Sequence, residues 1–403
     1  MLLALTVFQL FLLFFVFPLK GWDYNVFVGA IQSLDHGQNP YILANINQFA
    51  GGYTRESLGF VYPPHTLYFF WLLDFFFVFH NIGIYYVLLL ILLIISGYLL
   101  VTMGMGRKPH YLFLITLILT GFMGTYWNFY TGNKDILFLF LFTLIFGLLL
   151  KEKYWHSSIV MGLAAAVSLT TAPFVALYLI IRRSVFERLG YIFLSAAVVT
   201  VLFLVSYCIN PTYLVSYFDI LQGSSSPFYE SGGLNTPTAY LLFEDLLKEL
   251  HLGGVIPVAI VSCVYIGLIL YATWNYSVKN RENTLQIYSL VMLAIFMVLP
   301  RIKPYDFIIL IVPLYFLFKD CSYRMKFLMF FVISLPLFVW YFPASIQPTD
   351  YPFLIAVYTQ TYSLILIFLV IILADHLTPR DHGEEKRERT NLRKVRIYPE
   401  KNS

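Results

Sequence analysis

The sequence predicts an all-α polytopic membrane protein, and three observations predict it. Hydrophobic residues make up 59% of the 403-residue chain and charged residues only 12%, about half the charge of an ordinary soluble domain. The apolar residues fall in long runs, many of them near the length of about 20 residues that a helix needs to cross a bilayer. The intervals between runs leave no room for a separate soluble body. A single integral membrane domain over residues 1–375 is therefore expected, with a charged cytoplasmic tail over 376–403 that has little to bury.

In chain order, Leu2–Leu19 reads as a retained first helix, because neither a basic start nor a small-residue cleavage site marks it as a signal peptide. Apolar segments follow at Val61–Phe79, Gly83–Met103, Tyr111–Trp127, Ile136–Leu150, Ser157–Ile181, Tyr191–Cys208, Gly253–Trp274, Leu285–Leu299, Phe307–Phe318, Phe327–Phe342 and Phe353–Ala374. Basic residues between them set the orientation. Arg107/Lys108, Lys151/Lys153, Arg182/Arg183/Arg188, Lys279/Arg281 and Lys319/Arg324/Lys326 are expected inside, which puts Asn128–Asp135, Ile209–Leu252, Pro300–Asp306 and Tyr341–Pro352 outside. Ser157–Ile181 has basic residues on both flanks and SLTTAP in its middle. Two short helices meeting at a break account for it, since Pro removes a backbone donor and Thr can satisfy freed groups. If the first loop is outside and Arg107/Lys108 inside, one of the segments Val61–Phe79 and Gly83–Met103 crosses fully and the other does not; the sequence leaves open which.

Between the first two apolar segments, Gly21–His65 concentrates the acidic, amide and turn residues of the first part of the chain. Val26, Phe27, Ala30, Ile31 and Leu34 recur at helical spacing, Gly37 is a natural left-handed stop, and Asn39-Pro40-Tyr41 turns into a second amphipathic stretch. Two helices lying along the membrane surface are expected. Asp23 lies at the outer boundary, where a carboxylate can serve as general base toward a hydroxyl delivered at the lipid–water interface; the competing reading is a helix N-cap. Asp35 reads either as a carboxylate for sugar hydroxyls or as a solvated helix end. Tyr62-Pro63-Pro64-His65 starts the next segment with Pro in its first turn, offering the Tyr62 phenol and the His65 imidazole to a substrate.

Asp74 sits inside WLLDFFF, where a carboxylate is either functional or facing water. Asn133-Lys134-Asp135 lies outside, as a site element or a hydrated turn. The outer cationic candidates are Arg301 and Lys303 in LPRIKPYDF, positioned against the positive-inside preference. A lipid phosphate would compensate them, Arg binding it as a fork and Lys as a point charge; pairing with Asp306 is the plainer alternative. The loop after Asn210 carries Asp219, Gln222, Glu230, Asn235, Glu244 and Asp245 with Gly-Ser turns that suggest a mobile cover. Cys208, Cys263 and Cys321 form no disulfide or metal pattern, and a formal net charge of +4 gives nucleic-acid binding no support. No metal site and no cofactor are expected: no Asp-x-Asp string or soluble nucleotide-sugar domain is present.

Four motifs occur in an order that carries a resemblance. They are Gly37-Gln38-Asn39-Pro40-Tyr41 in an outer loop that begins with Asp23 shortly after the first helix, Phe60-Val61-Tyr62-Pro63-Pro64, TGNKDILFLFLF and MGLAAAVSLTTAPFVAL. Over about residues 1 to 185 this set resembles glycosyltransferase family 87, within the lipid-dependent glycosyltransferases of the GT-C fold. The third motif has Gly-Asn, with Asn133, where the family has Gly-Gln, and the fourth has Thr170 or Thr171 where the family commonly has Lys. The resemblance implies a GT-C-like bundle of about 11–13 transmembrane helices with amphipathic helices in the first outer loop. It implies a hexosyltransferase using a polyprenyl-phosphate sugar, mannose in the family, and a lipid or glycan acceptor among membrane lipids. The active site would face away from the cytoplasm, in the cell membrane. Asp23 would act as base and invert the anomeric centre, with Arg301 and Lys303 at the phosphate. A transporter or flippase of lipid-linked saccharides, or a surface polysaccharide polymerase or ligase, would share the helices and the outer basic turn.

Overall fold

The computed structural model describes residues 20–50, 59–103, 110–222, 236–341 and 358–377, and every regular element among them is helical. Leu2–Leu19, Glu230, Asn235, the Gly-Ser turns and the tail lie outside the described residues.

The first loop forms the two expected helices, α1 (Trp22–Asp35) and α2 (Leu43–Phe49). Gly37 ends α1 at φ 68°, with Gly37 N donating to the Leu34 carbonyl (3.0 Å) and Gln38 N to that of Ser33 (2.8 Å), a Schellman stop. The loop is tied down at several points: Asn39 Nδ2 donates to Ser216 Oγ (2.9 Å) and the Tyr41 hydroxyl to the Tyr62 carbonyl (2.8 Å).

Helix α3 (Pro64–Asp74) starts on its prolines and stops after 11 residues, about 16 Å of rise, roughly half the hydrocarbon thickness. Asp74 makes the turn that follows, accepting from the Phe79 backbone (3.2 Å) and His80 Nδ1 (3.0 Å). It is a turn former at the end of a short helix, and the length and hydropathy for a full crossing belong to α4 (Ile82–Met103), 22 residues long.

Helices α5 (Tyr111–Thr120) and α6 (Gly124–Thr131) are joined by a 3₁₀ turn (Gly121–Met123) in which Phe122 (φ 48°) and Met123 (φ 65°) take left-handed backbone. Gln360 satisfies the freed Phe122 carbonyl at 2.7 Å. After α7 (Ile136–Leu150) and α8 (Tyr154–Val167) comes the predicted break: Ser168 is extended (φ −148°, ψ 116°), and a 3₁₀ helix (Leu169–Ile180) containing Pro173 returns the chain. There follow α9 (Val185–Ile209), α10 (Pro211–Leu221), α11 (Ala239–Glu249), α12 (Val255–Lys279) and α13 (Thr284–Val298). A 3₁₀ segment (Pro304–Leu310), α14 (Ile311–Phe318), α15 (Tyr323–Tyr341) and α16 (Thr359–Leu377) complete the chain.

Four stretches are long and apolar enough to cross a membrane: Ile82–Met103, Tyr111–Thr131, Val185–Ile209 and Val255–Lys279. Shorter apolar helices, such as Ile136–Leu150 and Thr284–Val298, stand at other predicted crossings. This is a polytopic membrane protein whose apolar runs are broken more often than their hydropathy suggests.

The elements share one polarity. Helices α7 and α14 and the 3₁₀ helix after Ser168 run from one end of the bundle toward Lys151/Lys153, Lys319 and Arg182/Arg183, while α13 runs back from Arg281. The basic ends are physically joined: Arg183 pairs with Glu152 (2.8 Å), and His110 lies 3.5 Å from Asp320. The opposite end collects Asn128–Asp135, Ser168–Thr170, α10 and Pro300–Asp306, the loops that the basic residues assign to the outside.

Close backbone approach holds that end together. A Cβ on Gly124 would lie 2.9 Å from Ile308 Cα and 2.9 Å from Phe307 C, and closer still to Ile308 N, all backbone atoms that cannot swing away. Gly124→Ala is therefore expected to destabilise the protein by about 1–3 kcal/mol and to shift the Pro304–Leu310 segment. A lowered thermal midpoint with lost activity checks this; a wild-type midpoint would show that the contact yields freely.

Candidate active site

Polar side chains are scarce in this bundle, and at the end opposite the basic clusters they converge. A cavity of roughly 180 Å³ is lined there by Tyr62, Lys134, Asp135, Ser168, Thr170, Tyr217, Arg301, Lys303, Tyr305 and Asp306, with a few apolar residues. The residues come from five places: the approach to α3, the α6–α7 turn, the break after α8, helix α10, and the turn before α14.

The α6–α7 turn is the hub. Gly132 starts it at φ 72°, a conformation suited to glycine, and a Cβ there would lie 2.7 Å from Tyr24 Cβ. This brings Asn133 onto α1, where its Nδ2 donates to Asp23 Oδ2 at 2.9 Å while its Oδ1 accepts from Asp135 N at 3.1 Å. The backbone of Lys20 and Gly21 also bonds to the Tyr130 carbonyl (2.8 and 3.0 Å). Lys134 is buried, with Nζ 2.9 Å from Asp135 Oδ1, 4.0 Å from the Tyr62 ring centroid and 4.6 Å from that of Phe138. One carboxylate and two aromatic faces thus compensate a cation inside the protein.

Asp23 is not the N-cap of α1. Gly21 holds that position with no side-chain cap, and Asp23 lies within the first turn with its carboxylate turned to Asn133. The residue keeps some surface while its carboxyl group is enclosed. Loss of hydration raises the carboxyl above its ordinary range; hydrogen bonds from Asn133 and Thr131 and the Lys134 charge pull it back in part, while Asp135 pushes it further up. A carboxylate made more basic by enclosure, yet held in place by donors, is what general base catalysis requires.

The turn before α14 supplies the cations. Lys303 Nζ donates to Thr236 Oγ1 at 3.1 Å, Lys303 N donates to Asp306 Oδ2 at 2.6 Å, and Arg301 lines the cavity beside Tyr217. Asn128 Nδ2 donates to the Tyr305 carbonyl at 3.0 Å and so fixes this turn to α6.

Of the residues expected at the site, Asp23, Tyr62, Asn133, Lys134, Arg301 and Lys303 come together. Two do not. Asp35 is exposed at the far end of α1, where it accepts from the Trp71 indole at 2.7 Å. His65 joins helices away from the cavity, Nε2 lying 2.7 Å from the Ala166 carbonyl and Nδ1 3.0 Å from Ser206 Oγ. Of the two threonines standing where a Lys was expected, Thr170 lines the cavity and Thr171 bonds back to the Ser168 carbonyl (2.9 Å). Tyr305 was not anticipated there, Asp135 only as part of the Asn133–Asp135 turn, and Asp306 only as a partner for Arg301 and Lys303. The signal available for Asp306 was an acid three residues past a misplaced Lys in an otherwise apolar stretch.

A helical membrane protein with a charged cavity between the loops at one end of its bundle fits a class of enzymes that act on lipid-borne substrates. The comparison with known families narrows this: the sequence profile of glycosyltransferase family 87 matches residues 60–300. The chain belongs to glycosyltransferase family 87 and is a membrane glycosyltransferase, acting on a sugar donor and an acceptor. None of the curated proteins and none of the solved structures compared with the chain matches it. The matched span differs from the one read from motifs. It begins at Phe60, past Asp23, and runs through the second half of the chain to Pro300, just short of Arg301.

Proposed function

We propose that the enzyme transfers mannose from a polyprenyl-phosphate-linked donor to a hydroxyl of a lipid or glycan acceptor, with inversion, on the non-cytoplasmic face of the cell membrane. The observation that carries this reading is the cavity in which Lys134, Arg301 and Lys303 gather, with Asp23 one hydrogen-bonded residue away through Asn133. The donor phosphate lies against Arg301 and Lys303, where a fork and a point charge meet its oxygens. Asp23 takes the proton of the acceptor hydroxyl as its oxygen attacks the anomeric carbon and the phosphate departs. A phosphate leaving group needs charge stabilisation rather than a protonating acid, so one base and nearby cations suffice. Bundle polarity supports the non-cytoplasmic face, because the cavity lies at the end opposite the basic clusters.

The test is transfer by the purified full-length enzyme from a panel of short-chain polyprenyl-phosphate sugars and nucleotide sugars to a membrane-extract acceptor pool. Transfer from polyprenyl-phosphate mannose is expected. Transfer from nucleotide sugars alone would overturn the donor assignment, and a preference for another sugar would overturn mannose. Arg301→Ala is expected to raise KM for the donor about tenfold to a hundredfold, the worth of a charge-assisted hydrogen bond. An unchanged donor KM would remove Arg301 from the phosphate.

A further inference from the structure

Two acidic side chains, Asp135 and Asp306, meet in the lining of the cavity. Asp135 Oδ1 is bonded to Lys134 Nζ, whereas Asp135 Oδ2 is buried with no donor among the described residues. The Asp306 carboxyl lies at hydrogen-bonding distance from that of Asp135. Its own Oδ2 accepts from Lys303 N at 2.6 Å. Two carboxylates make a hydrogen bond only if one carries a proton, and such a proton would satisfy the orphaned oxygen. The helices packed against the Pro304–Leu310 segment, α6, α7 and α14, carry no charged side chain. The charged groups facing Asp306 are Lys134 and Asp135 from the α6–α7 turn and Arg301 and Lys303 from its own turn, with the Tyr62 and Tyr305 phenols beside them and Asp23 beyond.

We propose that Asp306 keeps a proton that it donates to the orphaned Asp135 Oδ2, and that this proton sets the charge of the cavity and hence its affinity for the donor phosphate. With the proton in place, Asp135 and Asp306 together carry one negative charge. When it leaves for bulk water they carry two, and the phosphate loses attraction. Asp306 is thus a positioning residue acting through Asp135 and the cations. A unit charge about a nanometre from the phosphate, at the intermediate dielectric of such a site, is worth roughly a factor of ten in affinity. The inference rests on the polyprenyl-phosphate reading above and names what tunes that site.

The probe is the methyl ester of farnesyl phosphate, a phosphodiester that lacks the second phosphate ionisation near about pH 6. Binding to the full-length protein is measured from about pH 5 to about pH 9. Wild-type affinity is expected to fall about tenfold with rising pH, in step with loss of the carboxylic-acid carbonyl band in infrared spectra. Because Asp23 is the other enclosed carboxyl, Asp23→Asn should keep both changes. Asp306→Asn, whose amide can donate to Asp135 and accept from Lys303, is expected to hold affinity level across the range and, in the Asp23→Asn background, to remove the band. A pH-independent wild-type affinity, a band as strong in Asp23→Asn with Asp306→Asn as in Asp23→Asn alone, or an unchanged pH dependence in Asp306→Asn would each overturn the shared proton while leaving the donor reading intact. Failure of the wild type to bind the phosphodiester at any pH would overturn both.

Discussion

Asp23→Asn is expected to lower kcat for sugar transfer about a hundredfold to ten-thousandfold, the contribution of a positioned general base, without weakening the fold. The amide keeps an oxygen for Asn133 Nδ2, which donates to Asp23 at 2.9 Å, but cannot take a proton from the acceptor. The sign of the stability effect follows from enclosure, which raises the carboxyl in the folded state above its unfolded value. Such a group contributes stability that is fully present below the unfolded value and lost as pH rises through the folded one. At neutral pH an ionised Asp23 is therefore a net cost, and the Asn variant should melt no lower than wild type. The same shift governs the rate: activity depends on the ionised form, so it should fall on the acid side at a pH above the usual carboxylate range. Kinetic pH profiles beside thermal midpoints check both. Wild-type kcat in a folded Asn variant would assign the base elsewhere.

Lys134→Met is expected to be among the most destabilising single changes in the protein, at about 3–5 kcal/mol, the range found when one member of a buried ion pair is removed. Lys134 and Asp135 side chains are only 4% and 1% exposed, so water cannot replace the lost partner. The double variant Lys134→Met with Asp135→Asn should recover much of the loss, because no uncompensated carboxylate then remains. Thermal unfolding of the two variants measures the difference. A single variant as stable as wild type, or a double variant no better than the single, would show that the pair is not what holds this turn.

Most of the fold was legible because hydropathy and turn chemistry are local. The two helices of the first loop, the Gly37 stop, the prolines opening α3 and the break at Ser168 each follow from a few neighbouring residues. Crossing lengths were less legible: nothing in the WLLDFFF run announces that Asp74 will turn the chain after 11 residues, since that depends on where Phe79 and His80 return. At the site, the unexpected cations at Arg301 and Lys303 were visible as violations of the positive-inside preference. The Asp135–Asp306 contact was not, because it joins turns some 170 residues apart and carries no local pattern. His65 looked like a substrate contact from its neighbours in sequence; its partners, Ala166 and Ser206, lie on α8 and α9.

The α6–α7 turn meets α1 on one side and the turn before α14 on the other, which places the site in the order of biosynthesis. When Asp135 is made, Asp23 is already available and their shared scaffold, Asn133, comes with it. The cations and Asp306 follow only after α7 to α13 have been inserted. Until then the nascent chain carries a half-built acidic pocket with Lys134 as its one basic residue from that turn. If the proposed site is the catalytic one, competence arrives late and all at once, and a chain truncated before Arg301 is expected to be an inert species rather than a slow enzyme.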